Sequence, residues 1–150
     1  MHGASQKVGQ SAAPLFLDRI DIQCKITPVP FKDISKAAPG EPSANIRERV
    51  IRAREIQAAR FKDFKGIHCN AQMTERMIHQ FAEPSEEGIN LLRMAMEKLS
   101  LSARAYNRIL KVARTIADLA GSEHVEPQHL AEAIGYRTLD RGDWAERGHF

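Results

Sequence analysis

Two arginines and a lysine in residues 101–120 have the spacing of a single helical face. Arg104 and Arg108 are four residues apart, and Lys111 follows three residues later. Side chains three and four residues apart are neighbours on a helix surface. Guanidinium groups on one face can each bind two phosphate or carboxylate oxygens, a geometry that an ammonium group lacks. The pattern therefore allows an anion-binding face. On spacing alone, however, a solvated basic surface is favoured.

Residues 101–120 are predicted to form the long helix that positions these cations. Ser102 is a typical N-cap residue, and Gly121 is typical of the position just after a helix end. Small and branched apolar residues recur at helical spacing, which predicts a closely packed buried face: Ala105, Ile109, Val112, Ala113, Ile116, Ala117 and Ala120.

Helical periodicity also fills the chain on both sides of this segment. The fold class is therefore mainly α, with a bundle of four to five helices in a domain over residues 43–141. The predicted helices are 43–62 with Ser43 as N-cap, 73–81, a helix opened by Ser85 and ending near Leu99, 102–120, and a last helix that begins at Pro127. Outside the bundle we predict a disordered or non-native lead at 1–12, a linker at 31–42 rich in proline and glycine, and a frayed tail at 142–150.

One segment before the bundle has a different period. Ile20, Ile22, Cys24 and Ile26 alternate with polar residues, which predicts a half-buried strand that Pro28 ends. The sequence offers no second strand. We therefore interpret residues 13–30 as the end of a larger core whose sheet lies outside this chain.

Composition and missing motifs exclude several classes of function. No apolar run is long enough to cross a bilayer, and no apolar segment follows the first cation as in a signal peptide. Two distant cysteines, Cys24 and Cys69, favour a reducing cytoplasm, and the histidines lack the spacing of a metal site. A formal charge of +3 is too small to indicate nucleic-acid binding by itself. Since no phosphate-binding glycine loop is present, this chain alone has no recognisable centre for nucleotide hydrolysis.

Several motifs taken together resemble one known family. Residues 101–123, 126–134 and 136–141 are similar to the C-terminal part of the magnesium-chelatase-like ComM/YifB family of AAA+ ATPases. Residues 46–57 resemble its first lid helix and residues 17–22 the end of its ATPase core. The resemblance covers roughly residues 14–147.

The resemblance implies a helical lid that closes over ATP and Mg²⁺ held by a P-loop core of the same protein. Arg104, in the Ser-x-Arg sequence that Ser102 begins, would be the sensor 2 residue that contacts phosphate, with Arg108 as a second ATP-binding candidate. Arg19, which follows Asp18, would be the arginine finger that acts on ATP in a neighbouring subunit of a homo-oligomeric, hexameric ring. The complete protein would bind ATP and Mg²⁺ and couple ATP hydrolysis to DNA processing or remodelling, whereas this chain alone would hold neither cofactor and would be inactive.

A different class of function stays open on the residues alone. The predicted first helix of the bundle carries arginines interleaved with Glu48 and Glu55, which favours a solvated face: Arg47, Arg49, Arg52, Arg54 and Arg60. The alternative is a free-standing helical module that binds nucleic acid through these arginines, or an oligomerisation module, in either case without catalysis.

Overall fold

The computed structural model describes residues 19–24, 26, 28–34 and 39–137, apart from the side chains of residues 32 and 33. The lead predicted at 1–12 and the tail predicted at 142–150 lie outside the described residues. The described part is mainly helical, as predicted. Its elements are α1 (Phe31–Ile34), α2 (Ser43–Phe61), a 3₁₀ turn (Asn70–Gln72), α3 (Glu75–Phe81), α4 (Glu86–Leu99), α5 (Ala103–Ala120) and α6 (Pro127–Gly135).

Helix α5 is the central helix of the bundle and has the two ends that its sequence predicts. The Ser102 hydroxyl accepts a hydrogen bond from the backbone N–H of Ala105 at 3.1 Å. Gly121 adopts the left-handed conformation with φ of +70°, and the N–H of Ser122 returns to the carbonyl of Ala117 at 2.8 Å. These local bonds define where α5 starts and stops.

The bundle is built around α5. This helix packs against α2, α3, α6 and the 3₁₀ turn, and α4 packs against α6. Ala105, Ala113 and Ala117 are fully buried, so their small side chains let the neighbouring helices approach closely. The predicted buried face is too wide, because Val112 and Ile116 are only half-buried and Ala120 is exposed.

Helix α2 lies only partly on the bundle. Ala53, Gln57 and Phe61 are buried in its C-terminal half, whereas every residue from 43 to 52 is exposed. The ring of Phe61 makes edge-to-face contacts with Phe64 and Phe81, at centroid distances of 6.4 and 5.7 Å. This aromatic cluster anchors the end of α2 to α3.

The predicted starts of two helices are wrong. Pro42, and not Ser43, occupies the N-cap of α2, and no side chain caps that helix. Helix α3 begins at Glu75 and not at residue 73, because the Thr74 hydroxyl caps it by accepting from the N–H of Met77 at 3.4 Å. The predicted linker at 31–42 contains the single-turn helix α1.

The strand predicted at 20–26 does not form in the residues described there. A strand needs an edge with which to pair, and within the described ranges the only ladder contact is an isolated bridge between Pro84 and Val125. Residues 19–24 are instead tied to the bundle by polar bonds. The N–H of Gln23 donates to the carbonyl of Tyr136 at 3.1 Å, and the Arg137 guanidinium donates to the carbonyl of Ile20.

Within the described ranges, no helix combines the length and the apolar character that crossing a membrane requires.

Candidate functional site

A small open cleft lies beside the N-terminal half of α5. Four of its lining residues come from this helix, at positions 104, 107, 108 and 111, and they are joined by Asp21 and Ala71. Its volume is about 260 Å³. The structure thus brings Arg104, Arg108 and Lys111 to one surface, as their spacing predicts. We call this surface the basic cleft.

The three cations of the basic cleft are held in different ways. Arg104 is exposed and forms no salt bridge with any residue in the described ranges. Arg108 is half-buried and is paired with the carboxylate of Asp21. The ammonium group of Lys111 donates to the backbone carbonyl of Ala71 at 2.9 Å, which orients it while leaving its charge uncompensated. Three cations therefore face one carboxylate.

The position of Arg104 adds to the positive potential of the cleft. It lies in the first turn of α5, which contains no acidic residue. The N-terminal end of a helix carries a partial positive charge because its first N–H groups have no intrahelical partners. The dipole and the side chains therefore favour the same kind of ligand, an anion.

The size of the basic cleft limits which part of a ligand it could hold. Sites that enclose a drug-sized molecule typically occupy about 300–1,000 Å³. A volume of about 260 Å³ suits a chain of phosphate groups better than a complete nucleotide. A nucleotide contacted here would need a second surface for its base and ribose.

Arg19, the arginine finger of the sequence analysis, lies apart from this surface. It occupies an exposed turn two residues before Asp21 and is not among the residues that line the cleft. The structure therefore brings together Arg104 and Arg108 but does not bring Arg19 to them. An exposed Arg19 is accessible to another molecule.

A second cluster of arginines lies near the C-terminal end of α5 and is largely buried. It combines Arg114 of α5 with Arg60 of α2. Asp118 is its centre: its carboxylate accepts from Arg60 Nη1 at 2.8 Å, Asn70 Nδ2 at 2.8 Å and Arg114 Nε at 3.1 Å. Arg114 also donates to the backbone carbonyls of Ser122 and Glu123 at 2.6 and 2.7 Å. We call these residues the buried network.

The buried network is structural in character. Burial lowers the pKa of Arg114 and neighbouring Arg60 lowers it further, whereas Asp118 acts in the opposite direction. The Arg114 side chain is only 3% exposed, and its donors are occupied by protein oxygens. It thus ties the end of α5 to the turn that leads into α6, with each of its three nitrogens donating to a protein oxygen.

No pattern in the sequence predicted this network. Arg114 and Asp118 are four residues apart, a recognisable pair on one helix face. Their burial, however, depends on Arg60 and Asn70, which lie 58 and 48 residues from Asp118 along the chain. No short-range pattern contains that information.

A larger opening beside the buried network is less suited to an anion. It measures about 990 Å³ and is lined by Arg60 and Arg114. Three carboxylates also line it, at Glu83, Glu123 and Glu126. With Asp118, to which both arginines are bonded, four carboxylates stand against two guanidinium groups, so the net charge of these groups is negative.

The arginines of α2 are also largely neutralised. Arg49 is paired with Glu41, which raises the pKa of Arg49 through their hydrogen bond. Arg52 lies 4.0 Å from Glu48 on the next turn. With Glu48 and Glu55 between its arginines, this exposed surface mixes both signs of charge, which disfavours continuous contact with a nucleic-acid backbone. In the part of the chain that the structure describes, no three His, Cys, Asp or Glu side chains group as metal ligands.

Comparison with known proteins gives a consistent assignment. The family model for the magnesium chelatase, subunit ChlI C-terminal, matches residues 40–137. Competence protein ComM of Haemophilus influenzae is 40% identical over 127 residues, which cover 84% of this chain and 24% of that protein. The YifB protein of Escherichia coli is 42% identical over 127 residues, which cover 84% of this chain and 24% of that protein. Mb2921c of Mycobacterium bovis is 33% identical over 130 residues, which cover 87% of this chain and 25% of that protein. The chain spans about a quarter of the length of these relatives.

Proposed function

The chain belongs to the magnesium chelatase ChlI C-terminal family, and we propose that it is the lid of a ring-forming AAA+ ATPase of the ComM/YifB type. In this proposal the lid closes over ATP and couples its hydrolysis to the processing or remodelling of DNA. The observation that carries it is the basic cleft, in which Arg104, Arg108 and Lys111 open onto a space of phosphate size.

Arg104 is the phosphate-contacting residue in this proposal. Its exposed guanidinium can bind two phosphate oxygens, and the N-terminal end of α5 adds partial positive charge beside it. An arginine placed in this way stabilises the negative charge on the phosphate oxygens during phosphoryl transfer. Because Ser102 fixes the start of α5, the position of Arg104 follows from that of the helix.

The complete protein contributes the remaining parts of the proposal. A P-loop core would bind ATP and Mg²⁺, which agrees with a cleft too small for a whole nucleotide. The exposed Arg19 would reach ATP in the neighbouring subunit of a hexameric ring, as an arginine finger. The ring and the DNA client rest on the resemblance to ComM/YifB, and the cytoplasmic location rests on the two distant cysteines. This chain alone is expected not to hydrolyse ATP.

Calorimetric titration of the 150-residue chain with millimolar ATP tests the role of Arg104, because without the P-loop core only weak contact between the phosphates and the basic cleft is expected. A hydrogen bond to a charged group is worth about 1.5–3 kcal/mol, so Arg104→Ala is expected to weaken binding by about tenfold to a hundredfold. Arg93→Ala is the matched control, since Arg93 is an exposed arginine of α4 outside the cleft. Equal affinities for wild type and Arg104→Ala would contradict the proposed function.

The alternative, a helical module that binds nucleic acid without catalysis, uses a different surface. Its arginines would be those of α2, where Arg49 and Arg52 are already paired with carboxylates. Duplex binding that weakens with salt, survives Arg104→Ala and is lost in an Arg47→Ala, Arg49→Ala variant would favour this alternative. Stable assembly of the chain without nucleotide, together with no binding of ATP or of duplex, would favour an oligomerisation module.

A further inference from the structure

We propose that the ion pair between Asp21 and Arg108 is a latch that a bound polyphosphate opens. This inference rests on the proposed function of the basic cleft. Asp21 is a positioning residue, because its ion pair with Arg108 helps to hold residues 19–24 on the bundle. Phosphate binding in the cleft and docking of residues 19–24 therefore oppose each other.

The latch joins two distant parts of the chain. Asp21 and Arg108 are 87 residues apart, and Asp21 is the one carboxylate that lines the cleft within the described ranges. Its Oδ1 accepts a hydrogen bond from Nη1 of Arg108, whose guanidinium lies one turn from Arg104. Asp21 thus binds Arg108 in the way that a phosphate group would, as an anion accepting from the same donors.

The ion pair is exposed enough for an external anion to replace the Asp21 carboxylate at Arg108. The side chains of Arg108 and Asp21 are 32% and 50% exposed. Exposed ion pairs contribute little stability, because water solvates both partners well. A polyphosphate carries several charges and can contact more than one cation of the cleft at once, so it competes effectively with a single carboxylate.

Release of the latch has a defined structural consequence. Residues 19–24 are mostly exposed, and their other described ties to the bundle include the Gln23 bond to Tyr136 and the Arg137 bond to Ile20. A segment with little apolar burial opens readily. A ligand bound in the cleft is therefore expected to loosen residues 19–24, which precede the bundle. By linkage, docking of that segment weakens phosphate binding by the same factor.

Calorimetric titration with inorganic tripolyphosphate tests the latch. Asp21→Asn is expected to bind about two- to fivefold more tightly than wild type, the range that an exposed ion pair allows. Glu41→Gln is the matched control, because it removes an exposed carboxylate paired with an arginine away from the cleft, and it should leave the affinity unchanged. In an Arg108→Ala background the effect of Asp21→Asn should disappear; an effect that persists would show that Asp21 acts only through long-range charge and would overturn the latch.

Hydrogen exchange provides a second readout on the unmodified chain. Saturating tripolyphosphate should accelerate exchange of the Gln23 amide, while the Ser122 amide, bonded within the end of α5, should not change. Unchanged or slower exchange at Gln23 would overturn the latch. If Arg104→Ala weakens tripolyphosphate binding but Asp21→Asn does not tighten it, the latch alone is wrong. If Arg104→Ala has no effect, or no tripolyphosphate binds, the proposed function fails as well.

Discussion

Helix α5 carries arginines in two contrasting settings. Arg114, near its C-terminal end, is buried and bonded to Asp118 and to two backbone carbonyls. Arg104, in its first turn, is exposed at the basic cleft. The same residue type on the same helix is part of the scaffold at one end and available to a ligand at the other.

The difference between these settings comes from the oxygens that surround each guanidinium. A buried arginine is stable only when protein acceptors occupy its donors, and those acceptors then exclude a ligand. An exposed arginine keeps its donors for an external anion at little cost, because water solvates it meanwhile. Arginine alone therefore does not mark a functional site; available donors beside a cleft of suitable size do.

The strongest test of this contrast is removal of the charge at the centre of the buried network. Asp118→Asn leaves Arg60 and Arg114 buried without a counter-charge, so the free energy of unfolding should fall by about 3–5 kcal/mol. Urea denaturation followed by circular dichroism measures this change. Asp21→Asn, the same substitution at the exposed cleft, should cost less than about 1 kcal/mol. Similar losses in both variants would remove the distinction between the two regions.

A smaller effect on the free energy of unfolding is expected from overpacking the buried alanine face of α5, the helix that carries both the basic cleft and the buried network. Ala117 is fully buried, so Ala117→Leu should overpack α5 and lower the free energy of unfolding by about 1–3 kcal/mol. Ala120→Leu is the control on the same helix, because Ala120 is exposed. A thermal melt of Ala117→Leu that matches wild type would show that this face of α5 is assigned wrongly.

The smallest effect on stability concerns the cap beside the basic cleft. Ser102→Ala removes the acceptor of the Ala105 N–H and should cost about 1 kcal/mol. Ser102→Thr keeps a hydroxyl at the same position and should restore most of that loss. If threonine fails to do so, the hydrogen bond at the cap does not account for the role of Ser102.

Local chemistry is what made much of this fold predictable. Ser85, Ser102, Gly121 and Pro127 mark helix ends through bonds and dihedral angles confined to a few residues, and the structure places them as expected. Ser43 failed as a cap because it is already the first helical residue, after Pro42, and no side chain caps this helix. The period of residues 20–26 indicated a strand, but a strand depends on a partner edge that the described residues do not offer.

The candidate site was predictable only where it lies on one helix. Arg104, Arg108 and Lys111 share a face by their spacing alone, so the sequence was sufficient to group them. Asp21 and Ala71 reach the cleft from other parts of the chain, and no periodicity connects them to α5. The assignment of phosphate as the ligand, and of Arg19 as an arginine finger, came from family resemblance and not from spacing.

The central claim is that Arg104 and Arg108 bind phosphate while Arg114 belongs to the scaffold. Nitrogen-15 spectra of the arginine Nε–H groups, recorded during a titration with ATP, test it most directly because all three residues are observed in one sample. The account predicts that the Arg104 and Arg108 signals shift and saturate together while the Arg114 signal stays in place. A uniform shift of all exposed arginines, including Arg47 and Arg93, or no shift at Arg104, would contradict it.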